Sequence, residues 1–146
     1  MKLTKVWFTA LSETEDGKMV FVSGRDHIME FIKSKKFKER AEITWKYEGD
    51  AKGMPTSQTA VLMEEVQEAL QGAMEKDKLA ILTGVYTGGG ERTYVFITRN
   101  IPAFGEMLNK ALASFELLPI TIYTEKDPDN EEYLDMLEMK HSNADE

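Results

Sequence analysis

An α+β domain built on an antiparallel sheet is the fold class this sequence predicts, and three observations predict it. Two apolar runs rich in β-branched and aromatic residues close into a hairpin near the start, and a strictly alternating strand lies between two amphipathic helices. The order strand, strand, helix, strand, helix then occurs a second time. With 146 residues the chain can bury one core well and is short for two, so a single domain over residues 1–146 is expected.

Residues 5–11 and 18–23 form the first hairpin. The segment Glu13-Thr14-Glu15-Asp16-Gly17 between them ends in an Asp-Gly pair that tolerates the positive φ of a tight turn. Asp26 is placed to cap a helix whose stripe is Ile28, Phe31 and Ile32, and the basic run at 33–38 suits that helix's negative end. In Glu42-Ile43-Thr44-Trp45-Lys46-Tyr47-Glu48 the apolar residues Ile43, Trp45 and Tyr47 share one face. Gly49 to Pro55 reads as a loop, after which Thr56 or Ser57 caps a long helix with Leu62, Val66, Ala69, Leu70 and Ala73 inward.

The second half repeats the order, with strands at 79–86 and 93–98 joined by Thr87-Gly88-Gly89-Gly90-Glu91. Asn100 caps a helix through Phe104, Leu108 and Leu112, a strand follows at 120–124, and Asp129-Asn130-Glu131-Glu132 opens a last helix bearing Tyr133, Leu134 and Leu137. The polar segment 140–146 is expected to fray.

Laid over each other, the halves at about 4–76 and 79–139 pair Val6 with Ile81, Val20 with Val95, Phe21 with Phe96 and Val22 with Ile97. Ile43 falls on Ile120 and Pro55 on Pro128, with one insertion at 51–54. The pattern predicts a duplicated ββαβα unit. Read across the join it also spells βαββαβ, the ferredoxin-like order, with helices on one face of the sheet. Whether the first hairpin extends that sheet or starts another is left open.

Composition removes several function classes. The 18 basic and 26 acidic residues give a formal charge of -8, which repels nucleic acid backbones and anionic membrane surfaces. There is no cysteine, hence no disulfide, thiolate nucleophile or cysteine-bound metal. No apolar stretch approaches the roughly 20 residues of a membrane span, and a cytoplasmic location is expected.

Few residues suggest chemistry. The run Gly88-Gly89-Gly90 resembles a phosphate loop in composition only, because it joins strand to strand and lacks the lysine and hydroxyl residue that open a helix. His27 and His141 stand apart, without metal-ligand spacing. The acidic clusters at 13–16 and 127–132 lack the EF-hand pattern, and no GxSxG elbow or SxxK pair occurs. No cofactor, metal or catalytic set is therefore expected. The candidate binding residues are Trp45, Tyr47 and Met54 around the GMP turn, with Glu91, Arg92, Tyr94 and Arg99 on the second hairpin. The core is the simpler place for Trp45 and Tyr47, and solvent for the two arginines.

The segments Ile43-Thr44-Trp45-Lys46-Tyr47, Gly53-Met54-Pro55, Thr87-Gly88-Gly89-Gly90-Glu91-Arg92-Thr93-Tyr94-Val95-Phe96 and Leu117-Leu118-Pro119-Ile120-Thr121-Ile122 together resemble a bacterial domain-of-unknown-function family, number six-nine-five. The resemblance runs from about Trp7 to Leu137 and implies no activity. Members are sometimes joined to a domain similar to regulator of ribonuclease E activity B, a ferredoxin-like inhibitor, which implies a regulatory role by analogy. Two expectations follow: a non-catalytic binding or regulatory module that meets a protein partner, or a small-molecule binder or enzyme with a pocket between the glycine-rich hairpin and the GMP loop.

Overall fold

The computed structural model describes residues 2–144, with side chains to residue 140. Its elements are β1 (Trp7–Glu13), β2 (Met19–Arg25), α1 (Met29–Lys33), β3 (Glu39–Lys46), α2 (Ser57–Lys76), β4 (Ala80–Gly88), β5 (Glu91–Thr98), α3 (Ile101–Leu112), β6 (Ile120–Lys126) and α4 (Glu131–Ala144). All six strands form one sheet in the order β1-β2-β4-β5-β3-β6, with every neighbouring pair antiparallel. The first hairpin therefore extends the sheet, through β2 against β4.

Helices cover both faces, not the single face expected. Ala41, Ile43, Trp45, Leu82, Tyr94 and Phe96 pack against α2 and α3, whereas Phe8, Ala10, Val22, Ile81 and Ile97 pack with α1 and α4. Adjacent residues on one strand, such as Phe96 and Ile97, thus enter opposite cores because strand side chains alternate. The covers are also staggered: α2 packs with α3 and touches β4, while α4 touches β1 and β4. Only β4 and β5 are buried along nearly their whole length, which explains their almost continuous apolar runs. By contrast β6 is exposed beyond Ile120.

Local rules account for the helix starts in part. Thr56 accepts a bond from the Thr59 N–H at 3.3 Å, and Asn100 accepts one from the Ala103 N–H at 2.8 Å, as capping residues should. Asp26 does not cap α1, which spans only five residues and has no side-chain cap; its carboxylate instead takes the Lys140 ammonium at 2.5 Å. The last helix is capped from outside the expected box, by Asp127, whose oxygens accept from the Glu131 and Glu132 N–H groups at 2.9 and 3.3 Å. Asn130 adopts φ 52° and donates to the Phe37 carbonyl, tying this corner to the start of β3. The helix continues through the segment expected to fray as far as Ala144; residues 145 and 146 lie outside the described residues, as does the side chain of His141.

The buried face of α2 is Met63, Val66, Leu70 and Met74, one residue round from the predicted stripe at its two ends, with Leu62 only partly buried. Each such side chain contributes roughly 1.5–3 kcal/mol on burial. On the opposite face, a kink in register sends Tyr86 toward α4, where its hydroxyl donates to Glu132 Oε1 at 2.6 Å. The other carboxylate oxygen, Oε2, is buried with no hydrogen-bond partner among the described residues.

Burial raises the Glu132 carboxyl above its ordinary range; the Tyr86 bond lowers it, Glu42 and Asp127 raise it and Arg40 lowers it. Folding thus favours the protonated acid, so between the ordinary and the raised value this group's contribution falls as pH rises. Glu132→Gln should remove that component. In urea unfolding at steps from about pH 4 to neutrality, the wild type should lose more stability than the variant, and parallel curves would count against it.

Candidate functional site

A β-bulge decides which side chains of β4 face α2. Opposite β5, Leu82 pairs with Phe96 and Gly84 with Val95, leaving Thr83 as the extra residue. Beyond it the alternation is reset, so Val85 and Thr87 face the α2 side while Tyr86 turns to α4. Register then continues this surface outward, with Phe21 opposite Thr87 and Ser23 opposite Val85 on one flank and Arg92 opposite Thr87 on the other.

Because α2 lies over the central strands, the α2-side surface of β1 and β2 is left as the floor of a groove. Phe21 and Met19 are 47% and 49% exposed there, large apolar side chains that a folded chain ordinarily covers. The middle of the groove is a cavity of about 280 Å³ between Trp7, Phe21, Met54, Glu64, Thr87 and Arg92. It runs into a second of about 460 Å³ that shares Phe21 and Met54 and also meets Lys18, Met19 and Lys52. A third, of about 520 Å³, shares Trp7 and Glu64 and follows α2 past Glu68 and Gln71 to Glu75, with Lys5 opposite. One wall is thus the carboxylate row of α2, whose members recur at helical spacing.

The far end of the groove is closed by a buried ion pair. Arg25 is 1% exposed and holds Glu75 through two parallel bonds, Nη1 to Oε2 at 2.8 Å and Nη2 to Oε1 at 2.9 Å. Its Nε donates to the Thr4 carbonyl at 2.8 Å and Nη1 also to the Leu82 carbonyl at 2.9 Å. The guanidinium lies 5.0 Å from the Trp7 ring centre, and Glu75 Oε2 accepts from the Leu82 N–H at 2.9 Å. This forked, hydrogen-bonded geometry is what makes burial of the charge tolerable.

At the near end, the two segments that break the sequence repeat meet. The two-residue turn Gly89-Gly90 has φ 62° and 85°, and Gly53 in the inserted loop has φ 80°. Gly90 N–H and the Tyr47 hydroxyl both donate to the Gly53 carbonyl, at 3.0 and 2.7 Å, and Tyr47 N–H donates to the Gly90 carbonyl at 3.0 Å. A Cβ on Gly53 would stand 2.9 Å from the Gly89 nitrogen, so glycine allows both the turn and the close approach. The amide of Gly90 is occupied by this docking rather than offered to a phosphate. Asp50 tightens the loop, accepting from the Met54 and Lys52 N–H groups at 3.0 and 2.8 Å, which hold its carboxyl below the usual range.

The candidate residues from the sequence therefore separate. Trp45 and Tyr94 belong to the core; the Tyr94 hydroxyl donates to the Met63 carbonyl at 2.9 Å, and burial pushes it up to about 12 against the pull of Arg92. Tyr47 is half-buried and raised by burial, though Arg92 draws it down. Met54 and Arg92 share the groove, and Glu91 is exposed at the start of β5, outside the groove lining. Arg92 is buried, not solvated: Nε donates to Thr87 Oγ1 at 2.9 Å, and Nη1 reaches Glu64 at 3.3 Å. Arg99 is exposed at the opposite end of β5, where it lines a different cleft. Trp7, Phe21, Arg25, Glu64 and Glu75 were not singled out from sequence; the signal available for the floor was the alternation of Met19 and Phe21 with Val20 and Val22.

Three substitutions test this construction. Glu75→Gln leaves the Arg25 charge buried without its counter-ion and should cost about 3–5 kcal/mol in denaturant unfolding; a loss no larger than that of an exposed pair would contradict the buried role. Gly53→Ala should cost about 1–3 kcal/mol through φ and contact, whereas Gly105→Ala, in α3 with open space around it, should stabilise by about 0.5–1 kcal/mol. Equal effects at the two glycines would refute the docking of loop on turn.

Among the described residues no helix is long and apolar enough to cross a membrane, and no group of three or more metal-ligating side chains is gathered. No curated protein and no solved structure matches the chain. The family model described as Family of unknown function (DUF695) matches residues 6–138, and the chain belongs to that family.

Proposed function

We propose that this protein is a non-catalytic docking module that receives a basic amphipathic helix from a protein partner in the groove between α2 and the β1–β2 hairpin, and that it regulates by occupying that partner. The carrying observation is the half-exposed apolar floor of Met19 and Phe21 lying alongside the carboxylates of α2. A helix laid beside α2 would cover the sheet's remaining α2-side surface with its apolar stripe, as helix-in-groove recognition does. Its basic flank would meet Glu64 and Glu68, both exposed, while Lys5, Lys18 and Lys52 at the groove ends would repel a basic flank laid in the wrong register.

The strand order β4-β5-β3-β6 with α2 and α3 on one side supports reading residues 39–126 as a ferredoxin-like unit, to which the β1–β2 hairpin, α1 and α4 are additions. Duplication has partial support: Val22 and its counterpart Ile97 enter the same core, but Phe21 is half-exposed where Phe96 is buried. The open groove lies at that departure. A small-molecule pocket built from Trp45, Tyr47 and Arg92 has no such support, since Trp45 is in the core.

Trp7 is the natural reporter, with Trp45→Phe leaving it as the sole tryptophan. Peptides of about 18 residues, or five turns, with leucine on one face and either lysine and arginine or glutamate on the other, are titrated against this variant. The basic peptide should shift Trp7 emission and saturate, with affinity falling about tenfold in Phe21→Ser and again in Glu64→Lys. Equal binding of the acidic peptide, indifference to Phe21→Ser, or self-association that buries Trp7 without any peptide would overturn the proposal.

A further inference from the structure

At the opposite end of the sheet from the glycine turn, three chain segments converge because their strands are in register. Glu39, at the start of β3, lies opposite Thr98 at the end of β5 and Lys126 at the end of β6. Lys36 and Lys38 precede β3, and Arg99 follows β5 at the entry to α3. The charged side chains of Lys36, Lys38, Glu39, Arg99 and Lys126, together with Ile101, Pro102 and Pro128, line a cleft of about 520 Å³.

The cleft carries four cations, Lys36, Lys38, Arg99 and Lys126, and a single carboxylate, Glu39. Its formal charge is therefore four minus one, strongly positive, within a chain of net charge -8. None of the four cationic side chains makes an ion pair among the described residues, although acids are abundant close by. Asp129 is held by Lys35 at 3.1 Å, and Arg40 gathers Glu42, Glu125 and Asp127. The neighbouring acids are thus engaged by Lys35 and Arg40, and none of them pairs with a cation of the cleft. A concave wall focuses such a field more than a flat surface does.

We infer that this cleft binds a small organic molecule carrying two or more phosphate groups. Four point charges from three segments can meet several phosphate oxygens at once, and lysine ammoniums suit phosphates that present no single planar fork. The apolar side chains Ile101, Pro102 and Pro128 offer contact for the organic part. Extended nucleic acid fits poorly, because the acidic remainder of the surface repels a long phosphate backbone that a compact ligand avoids. The site is independent of the groove beside α2, with which it shares no lining residue.

Calorimetric titration of the full chain with pyrophosphate, ADP and inorganic phosphate at low salt tests the site. Pyrophosphate and ADP should bind more tightly than phosphate, and ADP at least as tightly as pyrophosphate. Arg99→Gln and Lys38→Gln should each weaken ADP about tenfold, the loss of one charge-assisted bond, and Glu39→Gln should tighten it. Lys110→Gln, an exposed cation on α3 outside the cleft, should leave affinity unchanged. No heat with millimolar pyrophosphate, equal losses in Lys110→Gln and Arg99→Gln, no gain in Glu39→Gln, or preference for duplex DNA over ADP would overturn the inference. Unchanged melting temperatures of the variants without ligand keep these outcomes separate from misfolding.

Discussion

The bidentate pair between Arg25 and Glu75 fixes more of this structure than any other single interaction. It joins the end of β2 to the last turns of α2, and through Thr4 and Leu82 it also holds the N-terminal segment and the start of β4. With an arginine that is 1% exposed, a few ångströms of movement in α2 would strand a charge in the core, and a buried unpaired ion is far costlier than an unmade surface contact. The lateral position of α2 on the sheet is consequently determined. So is what α2 leaves uncovered, namely the inner surface of β1 and β2.

The staggered covers follow from the same constraint. With α2 and α3 over one side of the sheet and α1 and α4 over the other side of the opposite face, only β4 and β5 are covered twice. The bulge at Thr83 lets one strand serve both layers: Leu82 and Val85 feed one core although an unbroken strand would send them to opposite faces. Thr83 itself is fully buried and bonds the Val95 carbonyl at 3.2 Å, so the irregularity is satisfied rather than strained. One consequence is that Thr87 points toward Arg92 and Tyr86 toward Glu132, which separates a polar contact in the groove from a polar contact under α4.

Elements with strong periodicity were legible in the sequence, and so were two caps. The alternation of Ile43, Trp45 and Tyr47 and the hydroxyl and amide of Thr56 and Asn100 are local signals that tertiary structure did not override. The start of β3 at Glu39 was hidden directly after a basic run that resembles a helix end, because its strand character comes from pairing with β5 and β6 rather than from composition. The expectation of helices on one face passed over a signal that was present, the almost continuous apolar runs of β4 and β5, which are those of strands buried on two sides. The groove was not legible. Its defining contacts are Arg25 with Glu75, 50 residues apart, and the register of Phe21 on Thr87, and neither leaves a mark within any window of sequence.

Net charge describes this molecule poorly, and the fold explains why. A total of -8 implies a uniformly acidic surface, yet the antiparallel sheet collects the basic 36–38 segment, Arg99 and Lys126 at one end and leaves the carboxylates of α2 along a separate wall. Fields from exposed groups fade over about 8–10 Å at ordinary ionic strength, so each region acts on a ligand with its own sign. The acidic wall and the basic cleft can therefore select opposite partners on one small sheet. What keeps them distinct is the engagement of the intervening charges: Arg40 holds Glu42, Glu125 and Asp127, and Lys140 holds Asp26, so these groups pair with one another and not with either region.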